Sequence, residues 1–223
     1  MRLPRAFYDR PTLVVALDLV GKVLVHRSPD GITAGAIVEA EAYIGESDPA
    51  CHAAPGPTAR NQPLYGAPGF AYVYLNYGVH NLFNVVTEQD GQPAAVLVRA
   101  LLPLEGIELM RRRRAPDRRS PDAIPEYELC RGPGNLARAM GITLADNRAD
   151  LCGRRLWLED RGIFYPGVEW SSRIGISAGR ERQWRCFVSA CPAVSGAPRT
   201  SARRPAARRR ASARPGRRRS DRW

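Results

Sequence analysis

Along much of the chain, apolar residues alternate with polar ones at the two-residue period of a strand, and helical periodicity is confined to short stretches. LVVALDL (13–19) is the first helical stretch, with Thr12 placed to cap it and Gly21 just beyond its end. KVLVHR reads as a strand closed by a turn at SPDG. Residues 32–44, ITAGAIVEAEAYI, read as a second and longer strand. A loop rich in Gly and Pro runs from Gly45 to Gly69. FAYVYLNYGVHNLFNVV (70–86) then reads as strand, tight turn, strand, with Tyr77-Gly78 at the tip. DGQP marks another turn and AAVLVRAL another strand. Pro103 is expected to open a helix, LEGIELMRRRR, whose arginines sit at the C-terminal end favoured by the helix dipole. The polar stretch from Ala115 to Pro125 reads as a mobile loop. GPGNLARAMGI reads as turn, helix and glycine stop. LWLED, RIGIS and RCFVS are expected as short closing strands.

Strands that follow one another through short turns, with few helices between, exclude a doubly wound sheet and predict an α+β fold with a mostly antiparallel sheet. No internal repeat is visible, and no GxGxxG, Walker loop, GxSxG or HExxH occurs.

Composition narrows the class. With 223 residues and 44% apolar content, the chain can bury a sizeable core. No run of eighteen apolar residues occurs, and the start, MRLPRAFYDRP, lacks the apolar stretch of a secretion signal, so a cytoplasmic protein with no membrane partner is expected. The five cysteines are odd in number and scattered, with no CxxC pair, and predict neither a disulfide framework nor a metal site. The net charge of +12 is uneven: from Arg199 onward eleven arginines face Asp221 alone, a surplus of ten that leaves about +2 for the rest. That segment lacks apolar periodicity and is expected to be a disordered tail, residues 199–223, following a folded body over 1–198. Such a tail binds polyanions through counterion release; a solvated extension without a role is the alternative.

Candidate chemistry centres on VEAEAYIG. On a strand, Glu39, Glu41 and Tyr43 share one face, and Val38, Ala40, Ala42 and Ile44 share the other, which suits a core. Two carboxylates beside a phenol in an apolar cleft raise one another's pKa, as a general base requires. An exposed edge carrying two solvated glutamates is the alternative. In the hairpin, Tyr72, Tyr74 and Asn76 share a face, with Val73, Leu75 and Phe83 assigned to the core. A tyrosine at a hairpin tip is a stiff wedge that could enter a base stack, or it could pack on its own loop. His52, in the long loop, could contact a ligand or serve structure alone.

Taken in order, EAEAYIGxxDxAxH, TxRN, YVYxxYGxxxxxN, LVRALxPLEG and GPGNL resemble the alkyladenine (3-methyladenine) DNA glycosylase family, over roughly residues 4–195. The resemblance implies a single-domain fold with a curved antiparallel sheet and a protruding β-hairpin. It implies a monofunctional base-excision enzyme that flips damaged purines, alkylated or deaminated, out of double-stranded DNA. Matched by motif, Glu41 is the general base that activates water, with Glu39 a supporting carboxylate and Arg99 beside the water. Tyr43, His52 and Tyr74 sandwich the base, and Asn84 closes the pocket against the 2-amino group of guanine. Tyr77 is the intercalating residue. Arg60 and the turn Gly132, Gly134 and Asn135 are assigned to the DNA backbone. No cofactor is implied, and a monomer acting at the nucleoid of a bacterial-type cell is expected. Lys22 is the only lysine and lies outside every motif, so no Schiff-base lyase step is expected.

Departures from the family pattern are Asn76 in the hairpin, a loose fit over ERQWRCFVSACPAVS, and the arginine tail. Two other readings stay open. A non-catalytic DNA- or RNA-binding module would use the same wedge. A sugar hydrolase would need carboxylates flanking the bond, whereas Glu39 and Glu41 lie on one side.

Overall fold

The computed structural model describes residues 1–115 and 124–196; the arginine tail and all but the ends of the expected 115–125 loop lie outside the described residues. Eight strands pair antiparallel throughout into a curled sheet: β1 (Val23–Ser28), β2 (Gly31–Ile44), β3 (Ala71–Asn76), β4 (His80–Val86), β5 (Ala94–Glu105), β6 (Leu156–Glu159), β7 (Val168–Ser171) and β8 (Arg185–Val188). The main path is β3-β4-β5-β2-β1-β6. With five short helices among the described residues, this is an α+β fold, as the alternation of short strands and turns predicts.

The length of β2 decides the architecture. Its first part pairs with β1, from Val23↔Ala36 to Ser28↔Gly31. On the same edge, Glu39–Glu41 pair with β8, and β5 runs along the other edge from Ala34 to Ile44. Glu39 and Glu41 therefore lie mid-sheet, and both are fully buried, which removes the solvated-edge reading. Two irregularities sit beside them. Val38 is an extra residue in β2 between Ile37↔Leu101 and Glu39↔Ala100, and Arg99 is an extra residue in β5 before Ala40↔Val98. The first flips the side-chain alternation, so Val38 packs with Ala100 and Val194 rather than with Ala40 and Ala42 as simple alternation predicts. The second turns Arg99 towards the glutamates.

One face of the sheet carries the main core. Ile37, Ala40, Val73, Phe83, Val96, Val98 and Leu101 pack there against helices α1 (Arg5–Tyr8), α2 (Thr12–Leu19), α3 (Ile107–Arg114), α4 (Glu126–Leu129) and α5 (Pro133–Met140). The opposite face holds a smaller cluster of Cys51, Leu64, Tyr72, Val86 and Ala95, covered by the long loop that follows β2.

Four local expectations need correction. Thr12 is the first helical residue and not a cap; Pro11 precedes the helix, and the Thr12 hydroxyl donates to Glu88 Oε1 (2.7 Å). Pro103 opens no helix, because β5 continues to Glu105 and Pro103 stands opposite Gly35, where an irregular pairing spares its missing N–H. α3 begins at Ile107, after Gly106 at φ 72, where a side chain would collide with the Ile32 carbonyl. RIGIS (173–177) is a loop, its Ile174 amide going to the Glu41 side chain rather than to a ladder, and β7 lies just before it. Leu75 is exposed, as β3 leaves the core before the hairpin tip.

Candidate active site

The side chains of Glu39, Glu41 and Tyr43 project from β2 on the face away from the helices, and the Arg99 irregularity in β5 brings a guanidinium to both carboxylates. Glu41 Oε2 accepts from Arg99 Nη1 (3.1 Å) and the Tyr43 hydroxyl (2.9 Å), and Oε1 accepts from the Ile174 amide (2.7 Å). One lone pair of Oε1 has no protein donor. Burial pushes the Glu41 carboxyl above its ordinary range; Arg99, the Ile174 amide and the Tyr43 hydroxyl oppose that rise, and Glu39 adds to it. The Glu41 carboxylate is thereby a stronger base than a solvated one.

Glu39 is built differently. Its oxygens accept from Arg99 Nε (3.0 Å), Arg185 Nε (2.7 Å), the Ser195 hydroxyl (2.9 Å) and the Ser195 amide (2.6 Å). Three of these donors converge on Oε1 and the Ser195 amide reaches Oε2. Around the pair, Glu39, Glu41 and Asp48 meet Arg99, Arg173 and Arg185, so three buried carboxylates face three buried guanidinium groups. The balance lets Glu41 ionise without leaving a net buried charge.

Beside this cluster opens a cavity of about 420 Å³ lined by Tyr43, His52, Tyr74, Asn84, Arg99 and Ile174, among others. Its walls are aromatic. The His52 ring meets Tyr74 at 4.4 Å between centroids, and its Nδ1 lies 2.8 Å from the Tyr72 hydroxyl. Burial, with Arg60 nearby, lowers the His52 pKa, so the imidazole is neutral at physiological pH. Burial likewise pushes the Tyr74 hydroxyl up to about 12. The rings therefore present uncharged faces, which attract a flat cation. The Asn84 amide donates to the Tyr72 carbonyl (3.0 Å) and is fixed in the wall.

Tyr77 stands at the rim of this cavity, 89% exposed. Its φ of 49 is left-handed, a conformation costing a non-glycine residue about 1 kcal/mol or more. Glycine would suit the position better, so Tyr77 combines a strained backbone with a ring open to solvent. Val79 next to it is exposed as well.

The remaining expected residues do not line this cavity; of the turn that opens α5 only Pro133 does, and Gly134 borders a second cavity. Arg60 is exposed and donates to the Leu75 carbonyl (3.2 Å), bracing the hairpin. Gly132 precedes α5, and Gly134 and Asn135 form its first turn. Gly134 lets the His80 ring approach closely, and Asn135 donates to the Arg131 carbonyl (2.8 Å). Lys22 pairs with Asp160 (2.5 Å).

Arg173, Arg185, Ile174 and Ser195 were not singled out by sequence reasoning, and Asp48 entered only as the aspartate of the motif EAEAYIGxxDxAxH, with no role assigned. Arginines are abundant in this chain, and nothing local separates the two buried ones. Ser195 lies where the family pattern fits loosely, yet it closes the shell around Glu39. A larger cavity, about 640 Å³, lies on the other side of the hairpin against α5. Its buried His26 Nε2 and Asp146 Oδ1 face each other at 3.5 Å without a hydrogen bond, Asp146 also pairs with Arg155 (2.8 Å), and its Arg113 is tied to Asp30 and Met140. Among the described residues no cluster of three or more His, Cys, Asp or Glu could hold a metal ion, and no helix is long and apolar enough to cross a membrane.

The family model described as methylpurine-DNA glycosylase matches residues 6–192. A relative from Methanocella arvoryzae is 51% identical over 197 residues, covering 86% of this chain and 95% of its own. One from Salinibacter ruber is 48% identical over 207 residues, covering 87% and 97%. One from Chlorobium phaeobacteroides is 46% identical over 197 residues, covering 87% and 96%. All three are named as candidate 3-methyladenine DNA glycosylases.

Proposed function

The chain belongs to the methylpurine-DNA glycosylase family, and we propose that it lifts a damaged purine out of double-stranded DNA and hydrolyses its N-glycosidic bond. It is a DNA-repair hydrolase of the 3-methyladenine glycosylase type, acting on damaged DNA. The observation that carries the mechanism is Glu41, a buried carboxylate with a raised pKa directly behind an aromatic cavity.

In this reading the protein acts as a monomer. Tyr77 enters the minor groove and holds open the gap left by the extruded nucleotide. The flipped base lies between Tyr43, His52 and Tyr74, with Asn84 excluding the 2-amino group of undamaged guanine. Arg60 and the amides of the Gly132–Asn135 turn hold flanking phosphates. Glu41 takes a proton from water as that water attacks C1′, and its charge stabilises the oxocarbenium-like sugar. Arg99 orients Glu41 and the water. A purine methylated at N3 or N7 is already cationic, leaves without an acid, and suits a cavity of neutral rings. Hypoxanthine enters the same cavity but needs a proton as it leaves.

The test is a duplex with a single methylated purine, followed for free base and for alkali-labile sites. Release of free base, with strands intact until alkali is added, is expected. Tight binding without release would replace the enzyme with a damage reader.

A further inference from the structure

Behind Tyr43, on the side away from the cavity, lies an ion pair to which the mechanism above gives no role. Arg173 and Asp48 are both fully buried and joined by two bonds, Nη1 to Oδ2 (2.5 Å) and Nη2 to Oδ1 (2.7 Å). Asp48 opens the loop that carries His52, and Arg173 immediately precedes Ile174, whose amide binds Glu41. Arg173 Nη1 also donates to the Ala42 carbonyl (3.0 Å), which ties the loop to β2 between Glu41 and Tyr43. Its guanidinium lies over the Tyr43 ring at 4.6 Å. The space is made for it: a Cβ at Gly179, where φ is +67, would stand 2.9 Å from Arg173 Nη2.

We propose that Asp48 and Arg173 are positioning residues: their pair holds the Ile174 amide on Glu41 and backs the Tyr43 ring with a guanidinium whose charge Asp48 cancels. Two consequences follow from the geometry, and both rest on the roles proposed above for Glu41 and Tyr43. The loop 173–177 has no ladder of its own, so the pair is what fixes its start, and the Ile174 amide is one of three donors to Glu41. An unpaired guanidinium behind Tyr43 would repel a cationic purine stacked on the front of that ring, while a neutral purine would be little affected. Bidentate pairing with Asp48 removes that penalty.

The groups facing Glu41 set its titration: Glu39 and Tyr43 from β2, Arg99 from β5, Arg185 from β8, Tyr74 from β3, and the Ile174 amide with Arg173 from the loop. The Ile174 amide is among those that favour the ionised carboxylate. Losing it therefore moves the acid limb of base release to higher pH.

Single-turnover release from two duplexes tests the proposal, one with cationic 7-methylguanine and one with neutral hypoxanthine, across pH. Wild type and Glu41→Gln first test the underlying reading; no release by wild type overturns that reading and this proposal with it. Given release, Asp48→Asn is expected to slow 7-methylguanine roughly tenfold or more, the size of one lost hydrogen bond to a charged group. It should slow hypoxanthine less and raise the acid limb. The double variant Asp48→Asn with Arg173→Gln should restore the 7-methylguanine to hypoxanthine ratio but not the limb. Gly179→Ala, which crowds the pair and keeps both charges, should move the limb and leave the ratio alone, and it serves where Asp48→Asn does not fold. Equal slowing of both substrates with an unmoved limb would reduce the pair to a structural strut and overturn the proposal. So would a Gly179→Ala enzyme with an unmoved limb.

Discussion

Glu39→Gln separates the two buried glutamates most sharply. Glu39 accepts four hydrogen bonds, from Arg99, Arg185 and twice from Ser195, and it is fully buried. A glutamine there removes a charge shared by two buried guanidinium groups and points an N–H₂ at groups that themselves donate. Breaking a buried pair from one side costs about 3–5 kcal/mol. For a chain of this length that lowers the Tm by about 6 to 20 °C. Glu41→Gln should be milder. Burial already works against its charge, it meets one guanidinium where Glu39 meets two, and Arg99 keeps its bonds to Glu39 and Ser195, so the Tm should fall by less than in Glu39→Gln. Scanning calorimetry gives both values, and single-turnover assays well below either Tm give the activities. The expectation is a damaged fold with residual base release for Glu39→Gln, and an intact fold without release for Glu41→Gln. A Glu39→Gln protein that melts like wild type and releases no base would refute the division of roles.

Three further outcomes are expected. Tyr77→Gly should keep or raise the Tm, since it relieves a left-handed tyrosine, while weakening lesion binding roughly tenfold or more, as measured by fluorescence anisotropy. Release of a methylated purine should rise with pH through the raised pKa of Glu41, because only the carboxylate is a base, and then level off; release of hypoxanthine should fall again at higher pH, because its leaving needs a proton. Deleting residues 199–223 removes a surplus of ten positive charges, so it should flatten the dependence of log K on log salt and leave the single-turnover rate unchanged.

Local pattern carried much of the fold. Alternation placed β1, β2, the hairpin and β5 within a residue or a few, because each has one face in a core and the other elsewhere. It failed where tertiary demands override the period. Val38 and Arg99 are extra residues in their strands, and no spacing in the sequence announces them. Pro103 resembled a helix start but sits at an irregular pairing, and RIGIS resembled a strand but gives its donors to Asp48 and Glu41. At the site, Glu39, Glu41 and Tyr43 were legible as one face of one strand, and motif resemblance joined Arg99, His52, Tyr74 and Asn84 to them. Pattern alone could not rank Glu41 over Glu39. The difference lies in their partners: Ser195 and Arg185 bind Glu39 from more than 140 residues away in the chain. Arg173 escaped for the same reason, since an ion pair across 125 residues has no local signature; Asp48 stood in the first motif, but nothing there named its partner.

The most direct test of the central claim, that Glu41 is the base in a hydrolytic base excision, is a paired measurement on one duplex with a single 7-methylguanine. Binding affinity and single-turnover base release are measured for wild type and for Glu41→Gln. The account predicts equal affinity, with release by wild type and a loss of at least about a hundredfold in the variant, as for a general base. Release by Glu41→Gln at close to the wild-type rate would contradict it.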